Sequence, residues 1–364
     1  MAKGRIRSAI KKKIRGAARV GASGSGAAES SAGKSIGVKP SKRRRLKAAA
    51  KVATTKTKNV TAKVASKVTG TMATQVLTKI GTMKEAIQSL DAQLKLHRFK
   101  IHQFEPKIKI DFQKGHFTVK TVENGAELEE VLRLRFEVFN REYMNTTRAV
   151  GVDVDKMDFI CDHLIIRDNR IGRIVGTYRL NSSEFSDEFY SEAEFHFDRI
   201  LDMPGVILEL GRAAIAKEFR TGVVIALLWR GISEYLQKSG ANIMLGCASV
   251  KTMDPMEIGL ITHHLEKKGA LTREFGVEPT KKYKVKNLDQ VLEYIEKNPF
   301  EYNEEAVEKM VPPLFASYLK MGFKAYGEPA LDKDFFCIDY LIMIRTEQLD
   351  EAYKRRYKTE QEKE

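Results

Sequence analysis

The central apolar run of the chain is Val206-Ile-Leu-Glu-Leu-Gly-Arg-Ala-Ala-Ile215. A continuous apolar run interrupted by one Glu and one Arg predicts a buried strand. A short basic turn with one glycine follows, and from Val223 apolar residues recur at helical spacing. Upstream, alternation over 117–122 predicts a first strand. Leu128, Val131, Leu132, Arg135, Phe136, Val138 and Phe139 predict a helix over 127–143. Strands at 163–167 and 174–180 are joined by a hairpin turn at Asp168-Asn169, and a helical excursion follows over 183–202.

Beyond the central strand and helix, the pattern gives a strand at 242–248 and a helix over 254–268. Asp254 caps that helix, with Pro255 in its first turn. The stretch 271–310 is charged and poor in motifs, with a short helix at 288–297. A helix over 312–321 ends at Gly322, and strands at 323–326 and 335–344 close the chain. The expected class is α/β or α+β: a mixed sheet of six or seven strands with helices on both faces, over 115–350.

The first hundred residues obey a different pattern. Ile6, Ile10, Ile14 and Ala17 form a short apolar stripe among lysines and arginines, 21–40 is a Gly/Ser/Ala linker, and Lys42-Arg43-Arg44-Arg45 is a basic cluster. From Val60 to Leu94 apolar residues recur every three or four positions, with Thr, Ala, Ser and Lys between them. Residues 1–100 hold 25 Lys and Arg against 3 Asp and Glu, a net of +22, whereas the remainder holds 38 against 45, a net of −7. The basicity therefore belongs to a tail, and an argument for nucleic-acid binding reaches no further than that tail. Three readings compete for it: a solvated, partly disordered tail, an arm lying on an anionic membrane surface, and a nucleic-acid contact. Residues 351–364 form a charged C-terminal tail.

Cys161, Cys247 and Cys337 are odd in number, far apart and in apolar surroundings, as expected of reduced cytosolic thiols. No run long enough to span a bilayer and no secretory h-region is found, so a cytoplasmic protein is expected, with peripheral attachment to the inner membrane face as an option of the tail.

The chemistry concentrates around the central strand. Carboxylates and guanidiniums are rarely buried without a task or a partner, which singles out Glu209 and Arg212. Strand parity sends 209 and 212 to opposite faces. They share a site only if the strand bulges, with Gly211 the expected place. The competing reading is a purely structural Glu-Arg pair. The turn Arg220-Thr221-Gly222 precedes a helix N-terminus, a suitable seat for a phosphate. Arg135 falls on an apolar helix face, either snorkelling or serving the site. Asp153, Asp155, Asp158 and Asp162 share the loop 144–162, where several carboxylates could bind a cation such as an amino-acid ammonium; their spacing does not fit a calcium loop, and no metal is expected.

Several stretches together resemble the GNAT acyltransferase superfamily, and more narrowly its hemolysin-like, ornithine-lipid type of amino-acid N-acyltransferase. They are Leu134-Arg-Phe-Glu-Val-Phe139, Asp158-Phe-Ile-Cys-Asp-His-Leu164, Val175-Gly-Thr-Tyr-Arg-Leu180, Phe189-Tyr-Ser-Glu192 with Glu194-Phe195, Glu209-Leu-Gly-Arg212, and Pro312-Pro-Leu314 leading to Tyr318-Leu319 and Gly322. Acyl-homoserine-lactone autoinducer synthases share the pattern more distantly. The resemblance covers about 130–345; residues 1–100 lie outside it and 271–310, a variable insertion, match poorly. It implies a GNAT-like, largely antiparallel sheet and transfer of a fatty acyl group from a thioester to the amine of a small amino acid such as ornithine. Acyl carrier protein is the expected donor, acyl-CoA the alternative, and no cofactor is expected to be bound.

The resemblance also assigns roles. Arg135, Asp158, Glu209 and Arg212 would be catalytic, with Glu209 taking a proton from the amine. Arg179, Asp162, Arg220, Thr221, Gly222 and Gly211 would bind acceptor or carrier. A single glycine in the turn suits one carrier phosphate better than a pyrophosphate, and Lys217, Arg220 or the basic tail would steer an acidic carrier. Two other functions stay open: an autoinducer-type synthase using S-adenosylmethionine, and a non-enzymatic protein binding a membrane surface.

Overall fold

A computed structural model describes residues 97, 99–145 and 151–349. The readings made for 1–96 and for 350–364 fall outside the described residues.

The strands in chain order are β1 (Asp111–Lys114), β2 (Phe117–Thr121), β3 (Asp162–Asp168), β4 (Arg173–Ser182), β5 (Phe195–His196), β6 (Val206–Ile215), β7 (Ala241–Val250), β8 (Leu271–Thr272), β9 (Glu278–Pro279), β10 (Lys324–Asp332) and β11 (Cys337–Arg345). Nine of them form one sheet in the order β1-β2-β3-β4-β6-β7-β11-β10-β8, while β5 and β9 make a separate ribbon. Neighbours in the large sheet are antiparallel except β6 with β7 and β8 with β10. The expected six or seven strands thus become nine. The additions are edge strands of four and two residues, β1 and β8, too short for alternation to reveal them.

Strand parity assigns the two faces. On β3, Ile165 points to the side of α1 (Gly125–Arg135), where it packs with Leu128, Val131, Leu132 and Ile174. Leu164 and Ile166 point the other way, into a core shared with Val175, Tyr178 and the apolar stripes of α2 (Val223–Ser239), α3 (Pro255–Lys267) and α5 (Pro313–Lys320). A fourth helix, α4 (Leu288–Lys297), sends Leu288 to the same core from within the charged stretch. Each large apolar side chain buried in this way contributes roughly 1.5–3 kcal/mol. Gly231 is what lets α2 sit close: a Cβ there would come within 2.8 Å of Leu164.

Helix starts follow the expected chemistry. Asn124 accepts from the N–H groups of Ala126 and Glu127 to cap α1, and Asp254 caps α3 with Pro255 in the first turn. The helix expected over 127–143 is not uniform. At Phe136 it widens to i→i+5 hydrogen bonding, as in the 3.0 Å bond from Met144 N–H to the carbonyl of Phe139. The helical excursion expected over 183–202 is mostly irregular, with only short turns at Tyr190–Ala193 and Asp198–Leu201. Phe189, Phe195 and Phe197 each bury against the sheet, so no single helical stripe forms.

The feature that positions the site is a fork. β6 and β7 pair only from Val206 to Glu209. Past that point β6 continues along β4 and β7 along β11, which leaves an opening between them. Gly246 stands at the fork, where a Cβ would lie 2.3 Å from the carbonyl oxygen of Leu210.

Candidate active site

A cavity of about 240 Å³ fills the opening between β6 and β7. Gly211, Arg212 and Ala213 line it from β6, and Cys247, Ala248 and Ser249 from β7. Its apolar wall includes Tyr178, Leu314, Phe315 and Tyr318; Phe139 and Tyr143 reach it from the widened helical turn. The polar wall holds Asn181, Tyr190, Ser191, Glu194, Glu209, Asp332 and Asp339.

Glu209 and Arg212 do meet here. The β4–β6 ladder shifts register between Thr177 and Arg179, so that β6 carries one extra residue against Tyr178. The backbone that accommodates it is Arg212 itself, at φ +50°, rather than Gly211, whose φ is not positive. A non-glycine residue in the left-handed region carries strain, which clusters at functional sites. Both side chains then converge on the turn Tyr190–Ser191. Glu209 accepts from the N–H groups of Tyr190 and Ser191, each at 2.8 Å, and from the Ser191 hydroxyl at 2.7 Å. The Arg212 guanidinium lies 4.8 Å from the centre of the Tyr190 ring. Gly211 has open space where a Cβ would be, consistent with its place on the cavity wall.

Behind the cavity runs a ladder of charges. Arg135 is wholly buried and donates to Asp153 at 2.7 Å and to Asp158 at 2.5 Å. Arg179 donates to Asp155 at 2.8 Å and Asp158 at 3.1 Å, and Arg212 to Asp155 at 3.1 Å. Burial alone would raise the Asp158 carboxyl, but Arg135 and Arg179 overcome it and hold that group well below the usual carboxylate range. The snorkelling alternative for Arg135 therefore gives way to an internal ion pair. Arg135 and Asp158 do not line the cavity: they brace Arg179, which does, and through Asp153 and Asp155 they share the network of Arg212. The buried Nε of Arg212 makes no hydrogen bond among the described residues, although it lies 3.7 Å from the Asp153 carboxylate.

Four of the expected binding residues lie elsewhere. Asp162 is a clasp: its carboxylate accepts from the N–H groups of Lys107 and Ile108 and from the Tyr235 hydroxyl at 2.8 Å, tying the segment before β1 to α2. Arg220 donates to the carbonyl of Ile215 and pairs with Glu142 at 2.9 Å. Arg220, Thr221 and Gly222 are exposed and do not line the cavity. Gly222, at φ +87°, precedes α2 with no side-chain cap, which leaves that helix start with free N–H groups for a phosphate.

Asn181 and Glu194 line the cavity without a role assigned from the sequence, although Glu194 stands in one of the stretches that carry the resemblance. Asn181 lies opposite Glu209 across the ladder, with its Nδ2 bonded to the carbonyl of Glu188 and its Oδ1 buried without a partner. Glu194 is 1% exposed and its Oε2 is likewise unpartnered. Periodicity finds neither, because each reads as an ordinary polar residue near a strand end. Trp229 packs against Tyr178 and Tyr318 in the core and is not part of the cavity wall. No helix among the described residues is long and apolar enough to cross a membrane.

Residues 134–230 match the model of the acetyltransferase (GNAT) domain. The chain is similar to the L-ornithine N(alpha)-acyltransferase of Brucella abortus, 29% identical over 260 residues that cover 68% of this chain and 90% of that protein. It is similar to the enzyme of the same name from Rhizobium meliloti, 28% identical with 67% and 84% covered. Among solved structures, the AHL synthase LasI aligns at a TM-score of 0.36 and 14% identity, covering 64% of this chain and 91% of that one.

Proposed function

We propose that this chain, an acyltransferase of the GNAT fold, moves a fatty acyl group from a thioester to the amine of ornithine or a close diamino acid, giving an acyl-amino-acid lipid or its precursor. The observation that carries the reading is the meeting of Glu209, Asn181 and Arg212 at the fork between β6 and β7, beside an apolar wall. The names of the similar proteins supply the acceptor.

In this reading the acyl chain lies along Tyr178, Leu314, Phe315 and Tyr318, and its thioester carbonyl sits at the bulge. The acceptor's carboxylate meets the Arg212 guanidinium, whose Nε–H makes no hydrogen bond among the described residues. Its α-ammonium meets Asn181 Oδ1 and Glu209. An ionised carboxylate offers about four acceptor positions, and three on Glu209 are filled from the Tyr190–Ser191 turn. The remaining one takes the ammonium's proton, directly or through a water.

The neutral amine then attacks the carbonyl carbon. The C–N bond forms, the tetrahedral oxyanion is held by the N–H that the bulge releases from the ladder, the C–S bond breaks, and the departing thiolate takes up the proton that the nitrogen sheds as the amide forms. Arg135 and Asp158 are positioning residues in this scheme.

An acyl carrier protein is the proposed donor. The uncapped start of α2 offers N–H groups to one carrier phosphate, and Lys217 and Arg220 lie beside it. Residues 1–100 would add attraction to an acidic carrier or to an anionic membrane face. The test is mass spectrometry of lipids from a host without amino-acid lipids, expressing the full chain or its Glu209→Gln variant. Acylated ornithine with the wild type and at least about a hundredfold less with the variant is expected. No new acylated amine with the wild type would overturn the reading.

A further inference from the structure

The cavity has a second charged wall that the acylation chemistry leaves unused. Asp332 and Cys337 face each other across the β10–β11 hairpin, and Asp339 follows two residues on, so all three project from one face. Their ligand atoms lie within 4.8 Å of one another. Glu194 joins them from the Tyr190–Ala193 turn. All three carboxylates are nearly inaccessible, with Glu194 at 1% and Asp332 and Asp339 at 4% exposure.

The protein satisfies this wall only in part. Asp332 accepts from the N–H groups of Asp334 and Phe335, and Asp339 accepts from the Ser249 hydroxyl at 2.5 Å. The Oε2 of Glu194 has no partner although it is buried. Around the group stand Tyr143, Tyr190, Cys247 and Cys337, and the nearby cation is Arg212, which is engaged with Asp153 and Asp155. Burial, then repulsion from Asp339 and Asp332, pushes the Glu194 carboxyl up to about 9. Burial raises Asp339 to about 6. With nothing bound the wall retains a proton near neutrality, and an entering cation would take that proton's place.

We infer that Glu194, Asp332 and Asp339 form a subsite for the terminal ammonium of the acceptor's side chain, and so select a diamino acid over its uncharged analogue. The inference rests on the proposed N-acylation. It divides the acceptor between two ends of one cavity: carboxylate and α-amine at Arg212, Asn181 and Glu209, distal cation at the β10–β11 wall. A buried carboxylate with a vacant lone pair suits an N⁺–H donor, and an acceptor lacking that donor leaves the charges unpaired. A divalent ion on Asp332, Cys337 and Asp339 is the competing occupant of the same chemistry.

The test measures kcat/KM of the purified full chain for ornithine and for norvaline, which has the same carbon chain without the terminal amine. Palmitoyl thioesters of acyl carrier protein and of CoA serve as donors. The wild type is expected to favour ornithine by at least about tenfold, and Glu194→Gln and Asp339→Asn to collapse that ratio, chiefly through the KM for ornithine. Removing one charge from a repelling cluster should leave the melting temperature unchanged or raised, and two separate variants guard against one failing to fold.

A wild type that acylates both amino acids equally overturns the subsite while the acylation stands. Variants that slow both acceptors in proportion overturn it too. A stoichiometric metal found by elemental analysis, and lost in Asp332→Asn, assigns the wall to an ion instead. A wild type that acylates neither acceptor removes the acylation reading, and the subsite falls with it.

Discussion

The guanidinium of Arg212 lies over the ring of Tyr190 at 4.8 Å, while the backbone N–H of Tyr190 donates to Glu209 at 2.8 Å. One residue outside the sheet thus fixes both charged groups of the central strand. Arg179 also approaches the same ring, at 5.2 Å. Tyr190→Ala should loosen both cations, since each such contact is worth about 0.5–2 kcal/mol. Acylation is expected to fall by about tenfold or more, with Tyr190→Phe retaining most of it. Steady-state rates of the two variants check this, and an alanine variant as active as wild type would refute the role.

Asp158 and Arg135 are joined at the bottom of the charge ladder, both with wholly buried side chains. Asp158→Asn leaves Arg135 short of a partner and is expected to cost about 3–5 kcal/mol of stability, read from urea unfolding. The variant that fails to lose stability would place the ion pair among the dispensable ones.

Acid should act on the same region from two groups. The depressed Asp158 contributes stability that is present above the unfolded carboxylate range, about 3.9, and lost as pH falls below it. His163 is wholly buried, shares a 3.0 Å contact with the Asp158 carbonyl, and is pushed down by burial to about 4. Its folded form binds fewer protons than the unfolded chain, so its contribution is whole above about pH 6.5 and drains away as pH drops toward 4. Melting temperature followed from pH 7 to 4 should therefore decline, and His163→Gln should flatten the upper part of that decline. An unchanged slope in the variant would exclude His163 as its source.

Gly246→Ala places a methyl group against the Leu210 carbonyl, where the space is 2.3 Å. The strands would have to part before the fork, at a cost of about 1–3 kcal/mol. Urea unfolding gives the stability change and the acylation rate gives the effect on the cavity. Full stability and full rate together would mean that the fork tolerates a side chain.

Most of the frame was legible because each long element is written in one period. The alternation of β2, the stripe of α2, and the Asp254-Pro255 start of α3 all appear where the pattern puts them. The odd placement of Glu209 and Arg212 in an apolar run also pointed to the site, and even to the need for a bulge. What remained hidden depends on non-local geometry. Nothing around residue 136 announces the widened turn, and the left-handed backbone falls on Arg212 although glycine precedes it. Asp162 is bound to Lys107, Ile108 and Tyr235, far apart in sequence, and so read as a site residue by its neighbours alone. Glu194 and Asp339, far apart in sequence, come together only on the wall of the folded cavity.

For residues 1–100, flotation with anionic liposomes separates the competing readings. On the membrane-arm reading the full chain floats and a chain lacking 1–96 does not, with the cut placed before Ile101 and Phe104 because both are buried in the folded part. Equal flotation of the two would remove the membrane arm.

The fork has a kinetic corollary. Its opening is walled from one side of the sheet by Tyr178, Phe315 and Tyr318 and from the other by Glu194, Cys247 and Asp339. Placed as proposed, the acyl chain against the first wall and the acceptor against the second would occupy the opening together, neither having to depart before the other arrives. Such a layout favours a ternary complex and direct transfer over a shuttle through an acylated enzyme.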